Sequence, residues 1–276
     1  MVRESGEPSG RVVVYFHGTP SSRLEAAFAD DVCAELGVRL VAFDRPGYGG
    51  STPQPFGLVS VADATAALAD RLGVDRFATL GQSGGGPFAL ACAAVLGDRV
   101  TRVGVAAGVI PFQLVPGALD RLDEEDLGAL ALLPDRDAAA AEFARAFVPL
   151  QQASGLTDAD LLAGIRARGS ARDRELLDRP AVAASIVASR RESLVRSVDG
   201  AAWDNVAWLG PWDIDLAAVR RPVHLWYGGD DPRHPAGDGP WLRDHLPDAT
   251  LHLAPEDGHL TVVAHIDEIL TTLTAD

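Results

Sequence analysis

Arg76-Phe77-Ala78-Thr79-Leu80-Gly81-Gln82-Ser83-Gly84-Gly85-Gly86-Pro87-Phe88-Ala89-Leu90 is the stretch on which the fold turns. The apolar run Arg76–Leu80 reads as a buried strand, and the alanine- and leucine-rich run Pro87–Leu96 reads as a helix. Gly81-Gln82-Ser83-Gly84-Gly85 lies at their junction. A turn that tight forces the serine into a strained backbone, and side chains at the flanking glycines would collide. The serine hydroxyl is then expected to project beyond the strand's C-terminal end, with the Gly84 amide facing the same space at a helix N-terminus. As a bare pentapeptide, Gly-x-Ser-x-Gly is an ordinary glycine-rich connection. Between a strand and a helix it is the arrangement that presents a nucleophile.

Outward from this turn, short β-branched or aromatic runs alternate with helical patterns, as in βα units on a parallel sheet. The strand candidates are Val12–Phe16, Arg39–Phe43, Arg76–Leu80, Arg102–Ala106, Val223–Tyr227 and Thr250–Leu253. Their near-continuous apolarity predicts burial on both faces. Leu24–Leu36, Ser60–Leu72, Pro87–Leu96, Trp241–His245 and Leu260–Leu273 read as the covering helices. From about Pro111 to Trp212 the rhythm breaks. That region offers helix-like segments at Leu119–Leu133, Arg136–Phe147, Asp158–Arg168 and Ala181–Val198, with Thr157 and Asp160 set as a capping box, and no convincing strand. The expected organisation is an α/β core of residues 1–111 and 213–276, with 112–212 inserted as a helical cap or lid.

A serine hydroxyl needs a base, and the base needs a group to orient it. Strand Val223–Tyr227 runs into Gly228-Gly229-Asp230-Asp231-Pro232, and strand Thr250–Leu253 runs into Glu256-Asp257-Gly258-His259-Leu260. Carboxylates and then a histidine thus follow successive strand ends, where reactive groups of open α/β sheets gather. His259 is the expected base and Ser83 the nucleophile. His234, just past the acid loop, is the rival base. Physics alone does not separate Asp230 from Asp231 as the orienting acid. For the oxyanion, the amides of Gly84 and of Thr19, in His17-Gly18-Thr19-Pro20 after the first strand, are the candidate donors. Glu256 and Asp257 would raise the basicity of His259 if they lie close to it.

Composition narrows the chemistry. All 24 basic side chains are arginine, so Schiff-base catalysis, lysine-anchored pyridoxal phosphate and the P-loop lysine are excluded. The formal charge of −15 disfavours nucleic acid and anionic membrane surfaces. Cys33 and Cys92 lie in helix-like stretches without CxxC spacing and read as buried thiols suited to a reducing compartment. The polar N-terminus and the short first apolar run give no targeting or membrane segment, which points to the cytoplasm. No histidine or acidic cluster shows metal-ligand spacing, so no metal and no cofactor are expected.

His17-Gly18-Thr19-Pro20, Asp44-Arg45-Pro46-Gly47-Tyr48-Gly49-Gly50-Ser51, Gly81 to Gly86, the Gly228 to Asp231 loop and Gly258-His259 together resemble the α/β-hydrolase superfamily, in its order and over nearly the whole chain. They are similar to a branch of bacterial esterase-like proteins. The resemblance implies a mostly parallel α/β-hydrolase sheet of eight strands, helices on both faces and an inserted helical cap after the sixth strand. It also favours Asp231, three residues past Gly228, as the acid, and makes the Asp44 segment a structural turn. The chain departs from the pattern in having only a short polar tail before Val12, so the first strand is expected to be missing or trimmed. Carboxylate-nucleophile hydrolases of this fold are disfavoured by Ser83.

The expected reaction is acyl transfer from a small hydrophobic ester or lactone to Ser83 and then to water. Trp203, Trp208, Trp212, Phe112, Phe143 and Phe147 are the candidate lining of the pocket for that small-molecule substrate, with core packing as their alternative duty. Acyltransfer, carbon–carbon hydrolysis or a tailoring reaction of secondary metabolism would use the same triad. A ligand-binding protein with little turnover would use the same fold. Oligomeric state is not legible.

Overall fold

The computed structural model describes residues 1–275. Strands β1 (Val2–Gly6), β2 (Arg11–Phe16), β3 (Val38–Phe43), β4 (Phe77–Gln82), β5 (Val100–Ala106), β6 (Val223–Gly228) and β7 (Ala249–Ala254) form one sheet in the order β1-β3-β2-β4-β5-β6-β7. Neighbours are parallel except β1, which runs antiparallel to β3 with Val2 opposite Phe43. Residues on successive positions of β2 enter different cores. Val14 and Phe16 join the apolar cluster on one face, and Val13 and Tyr15 join that on the other. Alternation on a strand buried on both sides is what a helix-covered parallel sheet requires.

Helices α1 (Asp30–Leu36), α2 (Leu58–Arg71) and α3 (Gly86–Leu96) alternate with β2 to β5. Between β5 and β6 lie α4 (Glu124–Leu130), α5 (Arg136–Gln152), α6 (Asp158–Arg166), α7 (Ala171–Leu176), α8 (Pro180–Ser193) and α9 (Asp199–Trp208), with no strand among the described residues. The chain closes with α10 (Asp238–His245), α11 (Thr261–Ala264) and α12 (Ile266–Thr274). Thr157 caps α6, its hydroxyl accepting from the Asp160 amide at 3.2 Å. Helices α2 and α3 pack on the Phe16 side of the sheet, whereas α1 and α12 supply Cys33, Ile269, Leu270 and Leu273 to the other. Cys33 and Cys92 are buried and unpaired, and burial pushes each thiol up to about 12.

Several sequence expectations are corrected. The N-terminal segment read as a polar tail is strand β1, and the sheet has seven strands where eight were implied. Arg3, Glu4 and Ser5 look unlike a strand because an edge strand needs apolar side chains on neither face, and its charged groups pair locally: Arg39 donates to Glu4 at 2.8 Å. Leu24–Leu36 splits into a 3-10 turn, Arg23–Ala29, followed by α1. Leu119–Leu133 is reduced to a 3-10 turn at Leu119–Arg121 and the short α4. Ala181–Val198 ends at Ser193, and α7 and α9 are additional helices.

Candidate active site

Ser83 sits immediately after β4, where the chain turns through a 3-10 step, Ser83–Gly85, into α3. Its φ is +52°, a left-handed value that a side-chain-bearing residue rarely adopts. Crowding enforces the turn: a methyl at Gly81 would strike the Gly85 carbonyl, and one at Gly85 would strike the Phe16 carbonyl. Glycine at both positions therefore lets β4, β2 and α3 converge beneath a half-buried serine.

His259 enters from the loop after β7 and is 8% exposed. Its Nδ1 lies 2.9 Å from Asp231 Oδ2, and the Asp231 carboxylate also accepts from the Arg233 amide at 2.8 Å. Asp230 makes no such contact, its amide donating instead to the Asp257 carbonyl at 2.9 Å. With an ionised carboxylate as its partner, Nδ1 carries the proton and Nε2 keeps a lone pair. Ser83 and His259 line one cavity, and no direct hydrogen bond joins them among the described residues. Such a contact often tightens only with substrate present.

The electrostatics favour a neutral imidazole. Burial, then the charges of Arg233 and His234, push His259 down to about 4, although the Asp231 carboxylate pulls the other way. Burial opposes ionisation of Asp231, but its hydrogen bond with His259 holds the carboxyl below the usual range. Neither Glu256 nor Asp257 is among the leading influences on His259. Asp257 turns away to His265 Nε2 at 2.5 Å. His234 stacks on His259 with ring centres 5.3 Å apart, and its Nδ1 lies 3.6 Å from Asp238. Asp231, His234 and His259 thereby bring three potential ligand atoms within 4.8 Å, a proximity that the scattered histidines of the sequence concealed. Asp231 and His259 are already joined by the hydrogen bond between them.

Gly84 faces the loop after β2, since a methyl on it would collide with the Thr19 side chain. The Gly18 amide is taken by Glu25 Oε1 at 3.2 Å, which leaves Thr19 as the next donor of that loop. Two anchors of this region were missed in the sequence. Arg45 and Asp204 form an ion pair with both side chains fully buried, Nη2 to Oδ2 at 2.6 Å. Arg45 also donates to the His17 carbonyl at 2.8 Å, and Tyr48 and Thr19 donate to Asp204 Oδ2 at 2.6 and 2.5 Å. Burial works against the Arg45 charge, and Asp204 more than offsets it, leaving the guanidinium pKa raised. The second anchor is Asp173 of α7, whose carboxylate accepts from the amides of His259 at 3.1 Å and Leu260 at 2.8 Å. Gln82 holds the other side, donating to the His259 carbonyl at 2.9 Å.

The six aromatic candidates divide. Phe112 and Trp208 line a second cavity that Ser83, Gly84 and Asp231 share. Trp203 and Phe143 are buried in the main core, and Phe147 packs with Tyr48 and Leu194. Trp212 packs against the core and donates to the Trp208 carbonyl at 3.0 Å. These four touch neither cavity at Ser83, because helix–helix packing claims them first. Trp208 Nε1 is buried without a partner among the described residues.

A family model described as alpha/beta hydrolase fold matches residues 11–265. The chain is 27% identical over 269 residues to a poly(3-hydroxyalkanoate) depolymerase of Ectopseudomonas oleovorans, covering 96% of this chain and 83% of the relative. It is 26% identical over 241 residues to a pimeloyl-acyl-carrier-protein methyl ester esterase of Nitrosomonas europaea, covering 86% and 84%. Among solved structures, a bromoperoxidase from Bacillus anthracis is similar with a TM-score of 0.72 at 20% identity, covering 100% of this chain and 95% of that one. An esterase from Thermogutta terrifontis has a TM-score of 0.68 at 20% identity, covering 100% and 94%.

Proposed function

Because the chain belongs to the α/β-hydrolase-fold family and is a hydrolase, we propose that it cleaves carboxylic esters or lactones by acyl transfer through Ser83. The observation that carries this reading is the convergence of a strained serine at φ +52° with a histidine bound to a carboxylate at 2.9 Å. Backbone strain at a polar residue persists where surrounding structure enforces it, and active sites are where it collects. The two relatives whose names are an ester hydrolase and a polyester depolymerase support the same bond type.

In this mechanism His259 Nε2 takes the Ser83 proton as Oγ attacks the carbonyl carbon. The amides of Gly84 and Thr19 hold the developing oxyanion. The proton then passes from His259 to the leaving oxygen, and the acyl group stays on Ser83. Water, activated by the same nitrogen, releases the acid. Asp231 keeps the proton on Nδ1 and stabilises the imidazolium. The helical segment between β5 and β6 acts as a cap, closing one cavity through α8 and the other through Trp208.

Hydrolysis of a short-chain p-nitrophenyl ester by wild type and Ser83→Ala tests the reading. Loss of kcat by about 10³-fold or more is expected for removal of a triad nucleophile. Undiminished turnover by the alanine variant would reject it.

A further inference from the structure

Three arginines, Arg168 after α6, Arg190 on α8 and Arg233 after β6, line the cavity that holds Ser83 and His259. None of their guanidinium groups makes a hydrogen bond or ion pair with protein among the described residues. Arg23, Arg45, Arg121, Arg166 and Arg172, by contrast, all reach carboxylates at 3.0 Å or less. Arg168 and Arg233 are exposed and Arg190 is half-buried, so in a protein of net charge −15 these three cationic heads stand at the cavity wall free to meet a ligand anion. Their mutual repulsion is felt. Burial and the charges of Arg233 and Arg168 push Arg190 down to about 10.

The acidic residues of this cavity are committed to other partners. Glu25 accepts from Tyr15 Oη at 2.6 Å and from the Gly18 amide, and Asp173 caps the backbone of His259 and Leu260. Counting lining side chains, three arginines against Glu25 and Asp173 leave a surplus of one positive charge. A single negative charge matches that surplus better than a doubly charged phosphate. The same lining includes the apolar side chains Phe28, Ile165, Ile186 and Val262. The cavity therefore combines reactive groups, apolar walls and cationic heads. A guanidinium fork reads a planar carboxylate by paired N–H···O bonds.

We propose that this cavity selects esters whose acyl chain ends in a carboxylate, with Arg190, Arg233 and Arg168 as the receptor for that anion. The proposal rests on the hydrolase reading above and deepens it by naming the substrate class. The reaction is unchanged: the ester C–O bond breaks, the acyl–Ser83 bond forms and is hydrolysed, and the distant carboxylate takes no part.

The kinetic test compares monomethyl glutarate and monomethyl adipate with methyl pentanoate and methyl hexanoate. A kcat/KM ratio of about ten- to a hundredfold in favour of the anionic ester is expected from one charge-assisted contact. Arg190→Gln should collapse this ratio and Arg190→Lys should restore part of it. A merely structural arginine would change both substrates alike and leave the ratio where it was, which would overturn the proposal. The binding test titrates glutarate and adipate into the Ser83→Ala protein by calorimetry. Saturable binding that Arg190→Gln or Arg233→Gln abolishes supports the receptor even if wild type cleaves none of the four esters, in which case only the hydrolase reading falls. Hydrolysis of methyl hexanoate with no dicarboxylate binding overturns the receptor and spares the hydrolase. Inorganic phosphate displacing glutarate at equal concentration would overturn the carboxylate assignment.

Discussion

At the scale of single residues, the proposed mechanism depends on a histidine held neutral and on one of two adjacent aspartates. With His259 pushed down to about 4, its base form dominates throughout the range where an ordinary histidine, near 6.5, would be protonated. The sign follows: protonation disables the base, so kcat/KM should rise as pH climbs through about 4 and be level by pH 6. A pH–rate profile with its acid limb near 6.5 would contradict the burial argument. Asp231→Asn should lower kcat by about 10³- to 10⁴-fold through loss of the Nδ1–H tautomer, while Asp230→Asn should change it little. Steady-state kinetics of the two variants decides between neighbours that sequence reasoning left level on physical grounds. What separates them is the turn: the Asp230 amide is tied to the Asp257 carbonyl, and this leaves the next side chain facing His259.

At the scale of elements, the legible parts are those with a local cause. The turn around Ser83 is readable because the glycines cluster between an apolar run and a helical one, and the Gly81 site is demanded by the Gly85 carbonyl four residues on. The strand ends bearing Asp231 and His259 were readable because apolar runs of the right length precede them. The Arg45–Asp204 pair was not, since the partners lie 159 positions apart and a lone Asp inside Trp203-Asp204-Asn205 carries no mark of burial. The same applies to Asp173, whose duty toward His259 exists only once α7 is folded against the β7 loop. Residue type alone suggests Trp203, Phe143 and Phe147 as pocket lining, yet long aromatic side chains in helical spacing are core material first. The buried pair also makes a prediction. Asp204→Ala leaves Arg45 charged and uncompensated, so stability should fall by about 3–5 kcal/mol in denaturant unfolding. Arg45→Met combined with Asp204→Leu should recover much of that loss without recovering activity, because the Thr19 loop has lost its clamp. Equal stability of Asp204→Ala and wild type would show that the pair is not a structural link.

At the scale of the whole molecule, one sheet brings Ser83, Asp231 and His259, the proposed reactive groups, from the ends of β4, β6 and β7 to a common edge, and residues between β5 and β6 line both cavities at Ser83. Parallel strands make that possible, since their C-terminal ends all face the same way. β1 escaped sequence reasoning for the opposite reason. It lies at the far edge, beyond β3, where pairing on one side alone needs no apolar pattern. The acidic surface repels anions at long range, so a cationic cavity at Ser83 is a short-range device, felt by a ligand that has already entered. The central claim is that this architecture activates Ser83, and intact-mass analysis after exposure to a fluorophosphonate tests it most directly. A single adduct is expected on the wild-type chain and none on Ser83→Ala. A folded wild-type protein that acquires no adduct, or an alanine variant labelled as fully as wild type, would contradict it.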